Sequence, residues 1–187
     1  MISLYLGGAR SGKSGLAEQE VMHAALPTTY IATARASQSM ATRIALHQQQ
    51  RPSNWTTAEV PLTLSKSLTE LDSENSLIIV DCLTLWLTNQ LMANSDLAAK
   101  IAELCQTLTT LKSHLVLVST EVGQTLIPED EMSQVFVHYS GLMHQQIAAV
   151  ADRVTFVQGG MAICLKSPAS ELSALSSNNG CNVQEGV

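Results

Sequence analysis

One segment constrains this chain more than any other: Gly7-Gly8-Ala9-Arg10-Ser11-Gly12-Lys13-Ser14. It follows an apolar run from Ile2 to Leu6 and leads into a helix-compatible run from Ser14 to Leu26. The result is a strand, a glycine-rich turn and a helix, the setting in which G-x-x-x-x-G-K-[ST] becomes a phosphate cradle. Gly7 and Gly12 read as positions where positive φ lets the backbone N–H groups of Gly8, Ala9, Arg10 and Ser11 approach phosphate oxygens. The first turn of the helix adds free donors and the positive end of its dipole. Lys13 is predicted to reach the β- and γ-phosphates, and the Ser14 hydroxyl to hold Mg²⁺. A glycine- and serine-rich turn that merely contains a lysine is the plainer alternative, and the strand and helix around it argue against it.

With 187 residues the chain can form one α/β domain with a well-covered sheet, and nothing in it calls for a second core. A net charge of -6, with ten Lys and Arg in all, offers no basic footprint, so nucleic acid is not an expected partner. No apolar run approaches the roughly twenty residues of a membrane span, and no cleavable leader precedes the first strand. A cytoplasmic protein is expected. Cys82, Cys105, Cys164 and Cys181 are far apart and form no C-x-x-C pair, which suggests neither a zinc site nor a disulfide framework. The first three are expected in or near the core, and Cys181 in a tail.

Further along, Thr29 to Thr33 reads as a second strand whose carboxyl end opens beside the phosphate loop, placing Thr33 near the nucleotide. Ser37 is a candidate N-cap for a helix that carries Met40, Ile44 and His47 on one stripe and stops near Arg51-Pro52. Spacing alone favours His47 as a partly buried, satisfied imidazole. Trp55 to Val60 is β-prone, with Glu59 either a solvated edge charge or a functional carboxylate. Leu62 to Leu71 then reads as a helix on the opposite face of the sheet. Ser76 to Asp81 is a continuous apolar strand closed by an acid. Asp81 would cap the next helix or, with a phosphate loop in the same chain, serve as the acid that holds Mg²⁺.

Leu83 to Met92 and Asp96 to Lys112 read as helices, with Ser95 available as an N-cap between them. Leu115 to Ser119 is another buried strand. It runs into Thr120-Glu121-Val122-Gly123 at the ligand end, where Glu121 is a second candidate for metal or substrate contact. A long helix is expected from Glu129 to about Asp152, its acidic start suited to the dipole. Val154 to Val157 and Met161 to Leu165, joined across Gln158-Gly159-Gly160, form a closing hairpin. Residues 167–187 are expected to be a flexible tail, leaving 1–166 as the folded domain.

These residues resemble the adenosylcobinamide kinase / adenosylcobinamide-phosphate guanylyltransferase family of cobalamin biosynthesis. The likeness runs in order from residue 1 to about 166. It rests on the phosphate loop, Tyr-Ile-Ala-Thr-Ala at 30–34, Arg43-Ile44 with His47, Arg51-Pro52 and Trp55. It continues through Thr57-Ala58-Glu59, Val80 to Thr84 with Asn89, and Glu121-Val122-Gly123 with Ile127-Pro128-Glu129. The resemblance implies a RecA-like P-loop NTPase domain of α/β class, with a mostly parallel sheet, helices on both faces and a C-terminal antiparallel hairpin. It also implies two activities, using GTP and ATP as substrates with Mg²⁺. One is phosphorylation of the aminopropanol hydroxyl of adenosylcobinamide, and the other is transfer of GMP to adenosylcobinamide phosphate.

By that resemblance His47 changes role, from a packed imidazole to the nucleophile that attacks the α-phosphate of GTP and carries GMP; neutral imidazole suits such a step near pH 7. Lys13 and the Mg²⁺ held by Ser14 and Asp81 would offset developing phosphate charge. Gln48, Gln49, Gln50, Arg51, Ala32, Thr33, Ala34, Glu59 and Asp81 are implied around the nucleotide, and a homotrimer is implied, with the corrinoid between subunits. The chain departs from the family pattern at Gln38-Ser39, Val137-His138, Leu142 and His144. Two other readings stay open: a small-metabolite P-loop kinase with no use for His47, and a GTP-binding paralogue without turnover.

Overall fold

Uninterrupted apolar runs in this sequence become strands buried on both faces. Every residue of β1 (Ile2–Gly7) is buried, as are Leu77 to Val80 of β4 (Leu77–Asp81) and Leu115 to Ser119 of β5 (His114–Thr120). The computed structural model describes residues 1–34, 52–124 and 128–168. The remaining strands are β2 (Thr28–Ala32), β3 (Thr56–Glu59), β6 (Arg153–Gln158) and β7 (Met161–Lys166). All seven form one sheet in the order β3-β2-β4-β5-β1-β6-β7, parallel except for the antiparallel pair β6–β7. Register aligns the carboxyl ends that matter: Ala32 pairs with both Glu59 and Asp81, and Gly7 with both Thr120 and Val157.

The described helices are α1 (Lys13–Ala24), α2 (Leu64–Leu71), α3 (Leu83–Met92), α4 (Leu97–Leu108) and α5 (Glu131–Val150). They divide unequally between the two faces. Ala17 and Val21 of α1 pack with Tyr5, Tyr30, Ile79 and Val118 on one side. On the other, α2 to α5 bury Leu64, Trp86, Ile101, Leu104 and Ile147 against Leu4, Ile31, Ile78 and Leu117. The expected α/β arrangement, a mostly parallel sheet with helices on both faces and a closing hairpin, is present, and α2 lies opposite α1 as anticipated.

Element boundaries differ from the sequence expectation where side chains claim backbone groups. α2 starts at Leu64 rather than Leu62 because the Leu62 carbonyl accepts from Trp86 Nε1 at 3.1 Å and Gln90 Nε2 at 2.7 Å. Asp96, not Ser95, caps α4, accepting the Ala99 N–H at 3.0 Å. That helix stops at Leu108 instead of Lys112. The Asp72 carboxylate takes the N–H groups of Lys112 and Ser113 and turns the chain towards β5. Cys82 is buried and Cys105 half-buried, but Cys164 is exposed, correcting its expected near-core place: it lies on β7, whose six residues are all exposed. The helix expected from Ser37 to Arg51 and the tail beyond residue 168 lie outside the described residues.

Candidate nucleotide site

The phosphate loop joins β1 to α1 at the carboxyl edge of the sheet. Gly12 takes φ 98° as expected, and it forms the N-cap of α1. Gly7 does not adopt positive φ, which corrects that expectation. It is glycine because β6 passes too close: a Cβ there would stand 2.3 Å from the Val157 carbonyl oxygen and 2.7 Å from Ser11 Oγ. The left-handed turn inside the loop falls instead to Arg10, at φ 58°. Ala9 and Arg10 are exposed, Gly8 and Ser14 partly so. Ser11 is buried beneath the loop, its hydroxyl without a hydrogen-bond partner among the described residues. Lys13 is buried with its Nζ donating to the Gly8 carbonyl at 3.1 Å, which folds the ammonium back over the loop. The start of α1 and this ammonium thus lie together at the loop, the groups from which anion-binding concavities are built.

Asp81 ends β4, one strand removed from the phosphate-loop strand, with β5 between. Its Oδ2 accepts the hydroxyl of Tyr30 at 2.8 Å, and Tyr30 is itself 2% exposed and stacked on Trp55. Thr33 is fully buried. Its hydroxyl accepts the Cys82 N–H at 3.0 Å and donates to the Cys82 carbonyl at 2.7 Å, clamping the backbone that follows Asp81. Thr33 therefore serves the site by holding Asp81's neighbour. The carboxamide of Asn89, on α3, donates to the Thr33 and Pro61 carbonyls, tying the ends of β2 and β3 to that helix. Burial, with the Asp81 carboxylate nearby, pushes the Cys82 thiol up, so it is a packed thiol and not a nucleophile.

Ser14 and Asp81 supply a hydroxyl and a carboxylate, hard oxygen donors of the kind Mg²⁺ takes. Among the described residues no group of three or more His, Cys, Asp or Glu could hold a metal ion alone. The donor set thus fits an ion completed by phosphate oxygens, as Mg²⁺ usually is in phosphoryl-transfer sites. Ala32, Ala34 and the exposed Glu59 lie at the same edge, at or just beyond the ends of β2 and β3. His47, Gln48, Gln49, Gln50 and Arg51, and the departures Gln38 and Ser39, lie outside the described residues.

The profile of the cobinamide kinase / cobinamide phosphate guanyltransferase family matches residues 3–165. The chain belongs to this family. It is 42% identical over 169 residues to the Pseudomonas aeruginosa bifunctional adenosylcobalamin biosynthesis protein CobP, covering 89% of this chain and 98% of that one. It is 34% identical over 182 residues to the Salmonella typhimurium protein CobU of the same description, covering 89% and 100%. The solved structure of PH0250 from Pyrococcus horikoshii OT3 shares the fold at TM-score 0.57 and 8% identity, over 91% of this chain and 88% of that one.

Four residues that shape the site are not singled out by sequence reasoning as site residues: Tyr30, Thr84, Ser119 and Gly160. Tyr30 is visible as the first residue of the shared Tyr-Ile-Ala-Thr-Ala segment, with no role attached to its hydroxyl. His144, a departure from the family pattern, turns out to be 6% exposed and bonded to Glu121, whereas His138 is exposed on the same helix.

Proposed function

We propose that this chain phosphorylates the aminopropanol hydroxyl of adenosylcobinamide and then transfers GMP from GTP to adenosylcobinamide phosphate, giving adenosylcobinamide-GDP. The observation that carries this reading is the family match over residues 3–165 on a chain whose phosphate loop and strand-end acid are both in place. The backbone N–H groups from Gly8 to Ser14 bind the triphosphate, and Lys13 sets a positive charge against the charge that develops on it. Ser14 and Asp81 would hold Mg²⁺, which neutralises phosphate oxygens when bound. In the second reaction a His47 ring nitrogen bonds to the α-phosphorus while the bond to the bridging oxygen breaks and pyrophosphate leaves. The phosphate of the acceptor then displaces the imidazole and takes GMP.

The enzyme acts in the cytoplasm as a homotrimer; among the described helices none is long and apolar enough to cross a membrane. The edge strand β7 exposes Met161, Ile163 and Leu165 on alternate positions, an apolar row that supports self-association.

The test is incubation with Mg²⁺ and GTP labelled at the α-phosphate, with γ-labelled GTP as control. Label from α alone, stable to base and labile to acid, and absent in His47→Ala, is the expected result. Lack of protein-bound label from either nucleotide, with no corrinoid present to take GMP away, would overturn the guanylyl-histidine.

A further inference from the structure

A buried polar chain runs behind the phosphate site and ends on Glu121. The Thr120 N–H donates to Thr84 Oγ1 at 2.6 Å, Thr84 Oγ1 lies 3.0 Å from Ser119 Oγ, and Ser119 Oγ lies 2.7 Å from His144 Nε2. His144 Nδ1 in turn stands 3.2 Å from Glu121 Oε2. Direction follows from the last link, because a carboxylate can only accept. His144 Nδ1–H therefore donates to Glu121, Nε2 of the neutral ring accepts the Ser119 hydroxyl, and Ser119 accepts from Thr84, whose hydroxyl also lies 3.3 Å from the Thr120 carbonyl. A neutral imidazole satisfies every link, and burial acts in that direction on His144 against the pull of Glu121.

Glu121 stands at the carboxyl edge of the sheet, beside the phosphate loop. It follows β5, the strand between the phosphate-loop strand β1 and the Asp81 strand β4, and its N–H donates to the Gly7 carbonyl at 3.0 Å. The Gly123 N–H takes one carboxylate oxygen and His144 the other. A carboxylate has about four acceptor positions, so two remain on a side chain that is 20% exposed.

We propose that Glu121 accepts the hydrogen bond of the substrate alcohol during phosphoryl transfer and that His144 is the positioning residue that aims it. The proposal rests on the kinase half of the proposed function. As the alcohol oxygen bonds to the terminal phosphorus, the bond from that phosphorus to the bridging oxygen breaks. The nucleoside diphosphate leaves with that electron pair, and the hydroxyl proton passes to the Glu121 carboxylate.

The test compares Glu121→Gln, His144→Asn and His144→Gln in steady-state phosphorylation of adenosylcobinamide, alongside nucleotide Kd and thermal melting. Asn sets a carboxamide donor near the Nδ1 position and keeps the bond to Glu121; Gln sets its carboxamide oxygen near Nε2, where it accepts from Ser119, and keeps only that bond. Expected are a fall in kcat of about 100-fold for Glu121→Gln at near-unchanged nucleotide Kd, a fall for His144→Gln, and recovery in His144→Asn. Wild-type kcat in Glu121→Gln, or equal losses in the two His144 variants at equal stability, would overturn the proposal. Should His144→Gln not fold, Glu121→Gln decides alone. A wild-type protein that leaves adenosylcobinamide unphosphorylated would overturn the kinase reading itself; an active wild type matched by Glu121→Gln overturns only this assignment.

Discussion

The Gly160 N–H donates to the Ser11 carbonyl at 2.8 Å, so the turn of the β6–β7 hairpin is bonded directly to the phosphate loop. Gly12 lies against the same turn: its Cβ, if present, would stand 3.3 Å from Gly160 Cα. With Gly159 at φ 60° and Gly160 at φ 80°, the turn takes the left-handed form that two-residue hairpins favour. The loop is thus braced from β6 and β7 on one side and from Glu121 on the other, before any ligand arrives.

Two glycine variants separate bracing from binding. Gly7→Ala forces a methyl group to 2.3 Å from the Val157 carbonyl in the central β1–β6 pair. Overpacking of this kind costs about 1–3 kcal/mol and lowers Tm by several degrees. Gly8→Ala meets nothing within 4 Å. Its Tm is expected to stay at the wild-type value while GTP affinity falls, because the added methyl group enters open space on the loop that is proposed to wrap the phosphates. Calorimetric melting and nucleotide titration of both variants check the contrast.

Tyr30→Phe removes the hydroxyl from Asp81 Oδ2 and leaves the stacked ring in place. An outer partner that orients a metal-binding carboxylate is worth about 10–100-fold in metal affinity. The expected result is a rise of about tenfold in the Mg²⁺ concentration needed for tight GTP binding. Nucleotide binding without Mg²⁺ should hardly change. An unchanged Mg²⁺ requirement would show that the carboxylate is aimed without Tyr30.

Much of the fold was legible because its signals are local. The apolar runs at Leu77 to Val80 and Leu115 to Val118 mark strands buried on both faces, and the phosphate-loop motif fixes what lies on either side of it. The pairings that make the site are not local. Tyr30 meets Asp81 across 51 positions and Thr33 meets Cys82 across 49, and no periodicity reports such a distance. Gly7 was legible as a required glycine, but for a different reason: the obstacle is a carbonyl of β6, about 150 residues away in sequence. Glu121 was legible as an acid at a ligand end, whereas the Thr84, Ser119 and His144 chain behind it comes from three elements that only the fold brings together.

Thr33→Val is nearly isosteric and removes the hydroxyl that bridges both backbone groups of Cys82. The buried Cys82 N–H then has no acceptor, at a cost of about 1–3 kcal/mol. Thr33→Ser keeps the bridge and should melt near the wild type. If the clamp holds Asp81 in place, Thr33→Val also raises the Mg²⁺ requirement for GTP binding, in the direction expected for Tyr30→Phe. A fall in Tm without that change would confine Thr33 to packing.

Far from the site, Asp72 fastens the end of α2 to the connection between α4 and β5 and gives the clearest acid sensitivity. Burial pushes its carboxyl up, but the Ser113 hydroxyl, the Ser113 N–H and the Lys112 N–H all favour the ionised form and outweigh it, so the carboxyl titrates below its ordinary value. The sign follows from linkage. A group bound more tightly as the anion in the folded state contributes fully above its unfolded pKa of about 3.9, and that contribution is lost as pH falls through the lower folded value. Asp72→Asn cannot carry the charge at any pH, so it should be less stable than the wild type at pH 7, and the gap should narrow below about pH 4. Urea melts of both proteins across that window check it. A gap of constant size would mean that the hydrogen bonds to Ser113 and Lys112 depend on the shape of the side chain and not on its charge.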